Sequence, residues 1–134
     1  MSKTPKVKVK LGDRPETLPP IKVTFKTNRG LDAEIEAVFK YRTREEFGAF
    51  IGQHFNVSAS DFPRKEDGQI DYEALAKQTT GNEAAYLKDA LDSWDLEDDL
   101  TLKALQQLAS EQPAAIVALK AAYGAACNEG RLGN

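Results

Sequence analysis

The chain has 134 residues, 18 basic and 21 acidic, for a formal net charge of -3 and a pI near 5.2. That length fits one domain, residues 1–134, able to bury about two thirds of its unfolded surface without a metal or disulfide staple. The near balance of charge argues against a phosphate-tracking nucleic-acid binder, which favours a basic domain. A single cysteine, Cys127, makes no internal disulfide and suits a reducing compartment. Met1-Ser2-Lys3-Thr4-Pro5 lacks the apolar core of a signal peptide, and no run reaches the roughly 18 apolar residues of a membrane span. A soluble cytoplasmic globular protein is expected.

Lys6-Val7-Lys8-Val9-Lys10-Leu11 alternates basic and apolar, the period of a strand with one dry face. A basic arm for nucleic acid or anionic lipid is the functional alternative, but acidic residues follow closely and favour a solvated strand face. Gly12-Asp13-Arg14-Pro15 and Pro19-Pro20 are breaks. Ile21, Val23 and Phe25 then share a face, as do Ala33, Ile35, Ala37, Phe39 and Tyr41, with a turn at Asn28-Arg29-Gly30. This is a hairpin, with Glu34 and Glu36 placed to lie across from Lys22 and Lys26 on a wet outer face. Helices must cover the other face, since two or three strands alone are marginal.

Thr43-Arg44-Glu45-Glu46 has the form of a capping box, and Phe47, Phe50, Ile51, His54 and Phe55 continue as a helical stripe. Gly48 and Gly52 in that helix allow another element to approach closely. A catalytic His54 would need a nucleophile and an orienting group; its place within the stripe favours packing instead. Residues 56–69 read as a loop. Asp67-Gly68-Gln69-Ile70-Asp71-Tyr72-Glu73 resembles the back half of a calcium loop. With Gly68 at position 6, however, positions 1, 3 and 12 are Pro63, Lys65 and Ala74, none an oxygen-bearing ligand of the required kind. Asp71 is therefore expected as an N-cap. A short helix over 72–77, an interruption at Thr79-Thr80-Gly81-Asn82 and a second helical piece over 83–91 follow.

Trp94, the only tryptophan, lies in the acidic run Asp92-Ser93-Trp94-Asp95-Leu96-Glu97-Asp98-Asp99. An acidic metal site at Asp95, Glu97, Asp98 and Asp99 is the chemical alternative; self-solvated carboxylates ahead of a helix N-terminus are the expected reading. Leu102, Leu105 and Leu108 mark a helix over 101–110. Pro113 suits a first helical position, opening an alanine-rich helix to about residue 128. In it Ala114, Ala118, Ala122 and Ala126 recur every four residues beside a stripe of Ile116, Leu119 and Tyr123. A helix apolar nearly all round is either central or keeps a second face for a partner. Cys127 among alanines is expected to be a packed thiol rather than a nucleophile.

The fold expected is α+β: an N-terminal antiparallel hairpin or three-stranded sheet (1–41), then four to five helices (43–134). Four stretches, in order, carry a resemblance: Leu11-Gly12-Asp13-Arg14-Pro15-Glu16-Thr17; Val38-Phe39-Lys40-Tyr41-Arg42-Thr43-Arg44-Glu45-Glu46-Phe47; Trp94-Asp95-Leu96; and Pro113-Ala114-Ala115 with Ala122-Tyr123 and Gly130-Arg131-Leu132-Gly133-Asn134. In this order and spacing the chain resembles the tail assembly chaperones of long-tailed bacteriophages and prophages. The resemblance implies a non-enzymatic protein without cofactor. It implies binding to the tape-measure protein, keeping it soluble until tail-tube subunits assemble around it, and absence from the finished virion. Some such proteins also have a longer frameshifted form. The partners implied are the tape-measure protein, the tail-tube protein and self-association, with no nucleic acid and no membrane. Trp94, Ala114, Ala118, Ala122, Tyr123 and Ala126 are the expected partner contacts, with burial in the core as their alternative. A small regulatory binding module, inhibitor or antitoxin-like, is the other functional class, distinguished by its partner.

Overall fold

The computed structural model describes residues 6–55 and 61–133. The Met1-Pro5 start, residues 56–60 of the expected loop and Asn134 lie outside the described residues. The elements are β1 (Ile21–Lys26), β2 (Asp32–Phe39), α1 (Arg44–His54), α2 (Tyr72–Ala90), β3 (Leu91–Trp94), α3 (Leu102–Glu111) and α4 (Pro113–Glu129). The fold is α+β: a three-stranded antiparallel sheet, ordered β1-β2-β3, with four helices.

The hairpin forms in the register its alternation demands. Val23 faces Ile35 and Ile21 faces Ala37 on the dry side, while Lys22 faces Glu36 and Lys26 pairs with Asp32 on the wet side. Glu34 lies opposite Thr24. The turn closes through Gly30 N–H to the Thr27 carbonyl and Thr27 N–H to the Leu31 carbonyl. Asn28 at its tip reaches the α3–α4 junction, where its backbone N–H meets Gln112 Oε1 and its side-chain amide donates to the Glu111 carbonyl. One of the carbonyls left open at the end of α3 is thereby satisfied.

The third strand is not the expected one. Residues 6–11 form no strand, and Val7, Val9 and Leu11 are 84–92 % exposed. Alternation makes a strand only where a ladder partner exists. The place beside the end of β2 is taken by residues 16–18, through Leu18 N–H to the Phe39 carbonyl and Tyr41 N–H to the Glu16 carbonyl. On the other side of β2 the place is filled by β3, which continues directly from the end of α2. Leu91 pairs with Phe39 and Trp94 with Ala37, with an irregularity that turns both Leu91 and Trp94 towards the core side.

The helix expected to break at Thr79-Thr80-Gly81-Asn82 runs unbroken through it. Those four residues cost roughly 3 kcal/mol in helix propensity relative to alanine. Burial of Ala84, Tyr86, Leu87 and Ala90 in the same helix outweighs this, since each large side chain removed from water returns about 1.5–3 kcal/mol. Local preference therefore yields to packing, chiefly of α2 against α3.

The caps follow the local sequence closely. Thr43 and Glu46 form the reciprocal capping box of α1, Asp71 accepts from Ala74 N–H at the start of α2, and Thr101 accepts from Ala104 N–H at the start of α3. Pro113 occupies the first turn of α4, and Gly130, left-handed at φ +68°, ends it. The core is one cluster: Ile21, Val23, Ile35, Ala37 and Phe39 from the sheet; Phe47 and Phe50 from α1; Ala84 to Leu91 positions of α2 and β3; Leu105 and Ala109 from α3; and Ala115, Ile116, Leu119, Tyr123 and Ala126 from α4. Helix α4 lies across β1 and touches the other three helices, so it is central, while Ala114, Val117 and Ala121 keep one side of it exposed.

Candidate functional site

Where α1, α2 and α4 meet the end of β2, a polar knot sits at the edge of the apolar core. The Tyr123 ring is fully buried and stacked on Phe39 at 4.8 Å, with Phe47 and Phe50 edge-on to it. Its hydroxyl accepts from Arg42 Nη1 at 2.8 Å and donates to the Lys40 carbonyl at 2.9 Å. The Arg42 guanidinium lies 4.2 Å over the Phe50 ring, reaches the Asp89 carbonyl from Nη1, and pairs with the Asp89 carboxylate from Nη2. The second Asp89 oxygen accepts from His54 Nε2 at 3.2 Å. Asp89 thus ties the last turn of α1 to α2, and Arg42 ties both to α4.

The electrostatics follow from partial burial. Burial pushes the Asp89 carboxyl up, but His54 and Arg42 outweigh it and hold it below the usual carboxylate range. Burial pushes the Tyr123 hydroxyl up to about 12, so it stays neutral and can both donate and accept. Burial also pushes the Cys127 thiol up, away from the thiolate that a nucleophile needs. His54 is committed to Asp89 and packed edge-on to Phe50 and Tyr86. The knot is a clamp made of charge-assisted hydrogen bonds around an aromatic cluster.

Outside this clamp lies a groove of about 340 Å³ between the end of α1, the middle of α2 and α4. Phe55, Phe62, Leu75 and Tyr86 form its apolar lining, and Gln78, Asn82, Glu83 and Lys120 its polar rim. Phe55 stays 51 % exposed although it closes one end. The Lys120 ammonium sits 4.7 Å over the Phe55 ring and 5.5 Å over the Tyr86 ring, and 3.9 Å from Glu83. A mainly apolar cleft with a few convergent polar groups is the form of a binding site. It can take one or two large side chains of a partner.

The sequence-expected contacts are spread over the surface and the interior. Trp94 is half-buried at the end of β3, its indole N–H donating to the Asp98 carbonyl at 2.8 Å. Ala114 is exposed, Ala118 and Ala122 are half-buried, and Tyr123 and Ala126 lie in the core. Residues four apart on an α-helix drift by about 40° per step, so this row winds from solvent into the interior rather than forming one face. The structure therefore gives Tyr123 and Ala126 core positions and does not bring all six together.

The other sequence candidates find structural partners. Asp67 accepts from Gln69 N–H in a tight turn and Asp71 caps α2, so both aspartates of the calcium-like string bond to backbone amides, while Glu73 pairs with Lys77. Asp95 accepts from Glu36 N–H and continues the β2–β3 pairing by one side chain. Among the described residues no group of three or more His, Cys, Asp and Glu side chains is placed to hold a metal ion. None of the described helices is long and apolar enough to cross a membrane. Arg42 and Asp89 were missed because 47 positions separate them and neither belongs to a local motif. The available signal was weak: a carboxylate between the apolar Leu87 and Ala90-Leu91, and an arginine just past a strand.

Comparison with curated proteins and with solved structures gave no match. A family model described as phage tail assembly chaperone matches residues 1–134, the whole chain. With the α+β fold and the groove in place beside it, this match identifies the chain as a member of the phage tail assembly chaperone family.

Proposed function

We propose that the chain binds helical segments of a tape-measure protein and holds them soluble until tail-tube subunits assemble around them. It acts by binding alone, in the host cytoplasm, and leaves before the virion is complete. Family membership supplies the assembly role and protein partners. The observation that carries the binding mode is the open apolar groove, with Phe55 half-exposed at its end and Lys120 over its aromatic floor. An amphipathic helix laid along such a groove anchors through large side chains three, four or seven apart. Exposed Ala114 and half-buried Ala118 and Ala122 of α4, together with Trp94, widen the proposed contact surface. Tyr123 and Ala126 support it from inside by fixing α4.

Co-expression of the full chain with the tape-measure protein and co-purification tests this. Phe55→Asp, Ala118→Glu and Trp94→Ala are each expected to fold, by circular dichroism and thermal melting, and to lose or weaken co-purification. Undiminished capture by all three, with folding intact, refutes the surface. Capture of a host enzyme or toxin and no tape-measure protein refutes the function. A tail-tube gene just upstream and a very long tape-measure gene just downstream would be the genomic counterpart of the same result.

A further inference from the structure

Two features of the molecule fit each other, and among the described residues neither is paired with a further strand on its free side. The first is the segment Lys6-Val7-Lys8-Val9-Lys10-Leu11, which has strand periodicity, two β-branched residues and no strand to pair with; its apolar side chains are 84–92 % exposed. The second is the outer edge of β3. It is the last strand of the sheet; Leu91 N–H bonds back to the Leu87 carbonyl of α2, and from Asp92 to Trp94 no backbone hydrogen bond to an element other than β2 is made among the described residues. An exposed edge is a template for one more strand. Residues 92–99, around and after it, carry five carboxylates and no base: Asp92, Asp95, Glu97, Asp98 and Asp99, all exposed. The arm carries three lysines and no acid over six residues.

We propose that the arm of one copy of this chain adds as a fourth strand to the β3 edge of a second copy. Period two places Val7, Val9 and Leu11 on one side of the added strand and Lys6, Lys8 and Lys10 on the other. The apolar set continues the dry face at Leu91 and Trp94, and the lysines meet the acidic edge. The other edge of the sheet does not compete. On β1 the exposed side chains include Lys22 and Lys26, which repel a lysine arm, and the C-terminal tail passes close to its start, with Gly133 beside the Ile21 side chain.

The second copy, rather than the same chain, is indicated by where the arm is anchored. Arg14 Nη2 sits 2.7 and 2.8 Å from the two Glu46 carboxylate oxygens, with its guanidinium over the Tyr41 ring, and residues 16–18 pair along the β1 side of β2. β3 lies on the opposite side of β2. From that anchor the arm leads into solvent, and two copies related by a two-fold axis can exchange arms reciprocally. Neither the groove nor α4 takes part in this inference; Trp94 alone is shared with the proposed tape-measure surface.

Sedimentation velocity of the full chain over a wide concentration range, at low and high salt, tests it. A dimer that grows with concentration and weakens with added salt is expected. Lys6→Glu/Lys8→Glu/Lys10→Glu and, separately, Asp92→Lys/Glu97→Lys/Asp99→Lys are expected to lose the dimer, and mixing the two variants to restore it as a heterodimer. These positions are all exposed, and circular dichroism confirms that each variant folds. A wild-type chain monomeric throughout, or a dimer indifferent to the arm variant, overturns the proposal. Amide exchange adds one more decision: protection at residues 7–11 and 92–94 that tracks the dimer supports it. The same protection independent of concentration means that the arm docks on its own chain, and overturns it.

Discussion

Tyr123→Phe isolates the clamp from the aromatic cluster that surrounds it. The substitution keeps the ring, its stack on Phe39 and its edge contacts with Phe47 and Phe50, and removes one oxygen. That oxygen accepts from the charged Arg42 and donates to the Lys40 carbonyl. A hydrogen bond to a charged group contributes about 1.5–3 kcal/mol, and a buried acceptor left open costs about 1–3 kcal/mol. Arg42 keeps its contacts with Asp89, so the first figure falls towards its lower end. The expected loss is about 2–4 kcal/mol. For 134 residues the entropy of unfolding is about 0.28 kcal/mol/K, so a loss of 3 kcal/mol lowers Tm by about 10 °C. Because burial keeps the hydroxyl neutral to about 12, the comparison holds across the neutral range. Urea and thermal unfolding measure the loss, and a double-mutant cycle with Arg42→Met assigns the share due to that pair. A change below about 0.5 kcal/mol would refute the clamp. A stable Tyr123→Phe protein that no longer captures its partner would instead return Tyr123 to the contact surface.

Thr43→Ala removes the cap of α1 and is expected to cost about 1 kcal/mol in denaturant unfolding. Glu46, held to about 2 by the Thr43 amide and Arg14, titrates below its ordinary 4.5. Its contribution is full above about 4.5 and is lost as pH falls towards 2, so Glu46→Gln should flatten the acid limb of the stability–pH curve; an unchanged limb refutes this. Gly81→Ala is expected to stabilise by about 0.5–1 kcal/mol, because Gly81 is inside a helix and an added Cβ meets nothing within 4 Å. Ala126→Glu, which buries a carboxylate, should unfold the protein at ordinary temperature, whereas Val117→Glu, at a site 66 % exposed, should shift stability by less than about 0.5 kcal/mol; thermal melts read both.

What was legible in the sequence is what depends on neighbours in the chain. The Ile21–Phe39 hairpin, the Thr43–Glu46 box, the Asp71 cap and Pro113 at the start of α4 each rest on a spacing of a few residues, and each is present. What depends on distant partners was not. The same alternation that reads as a strand at 21–25 reads as one at 6–11, yet only the first has a ladder to join. Leu91-Asp92-Ser93-Trp94 has no such alternation and becomes a strand because the open side of β2 needs one. The weak helix formers at 79–82 continue a helix because the residues beyond them are needed in the core. Of the candidate site, Phe55, His54, Tyr123 and Lys120 were visible as individual residues. The arrangement that joins them was not, since Arg42 and Asp89 come from elements 47 positions apart.

The clamp and the groove form one construction, and this bears on how the proposed partner would be held. A binding cleft between three helices is useful only if the helices do not close it. Phe55, Tyr86 and Lys120 come one each from the end of α1, the middle of α2 and the middle of α4. Asp89 bridges α1 and α2 through His54 and Arg42, and Tyr123 joins that bridge to α4. The groove walls are therefore fixed by polar bonds beneath them rather than by filling the groove itself. A wall set in advance spares a partner the cost of ordering it. It also accounts for the presence of charge at the edge of this core. Apolar residues at positions 42, 89 and 123 could pack as tightly, but packing alone would draw the three helices together over Phe55. Directional bonds of fixed length hold them apart.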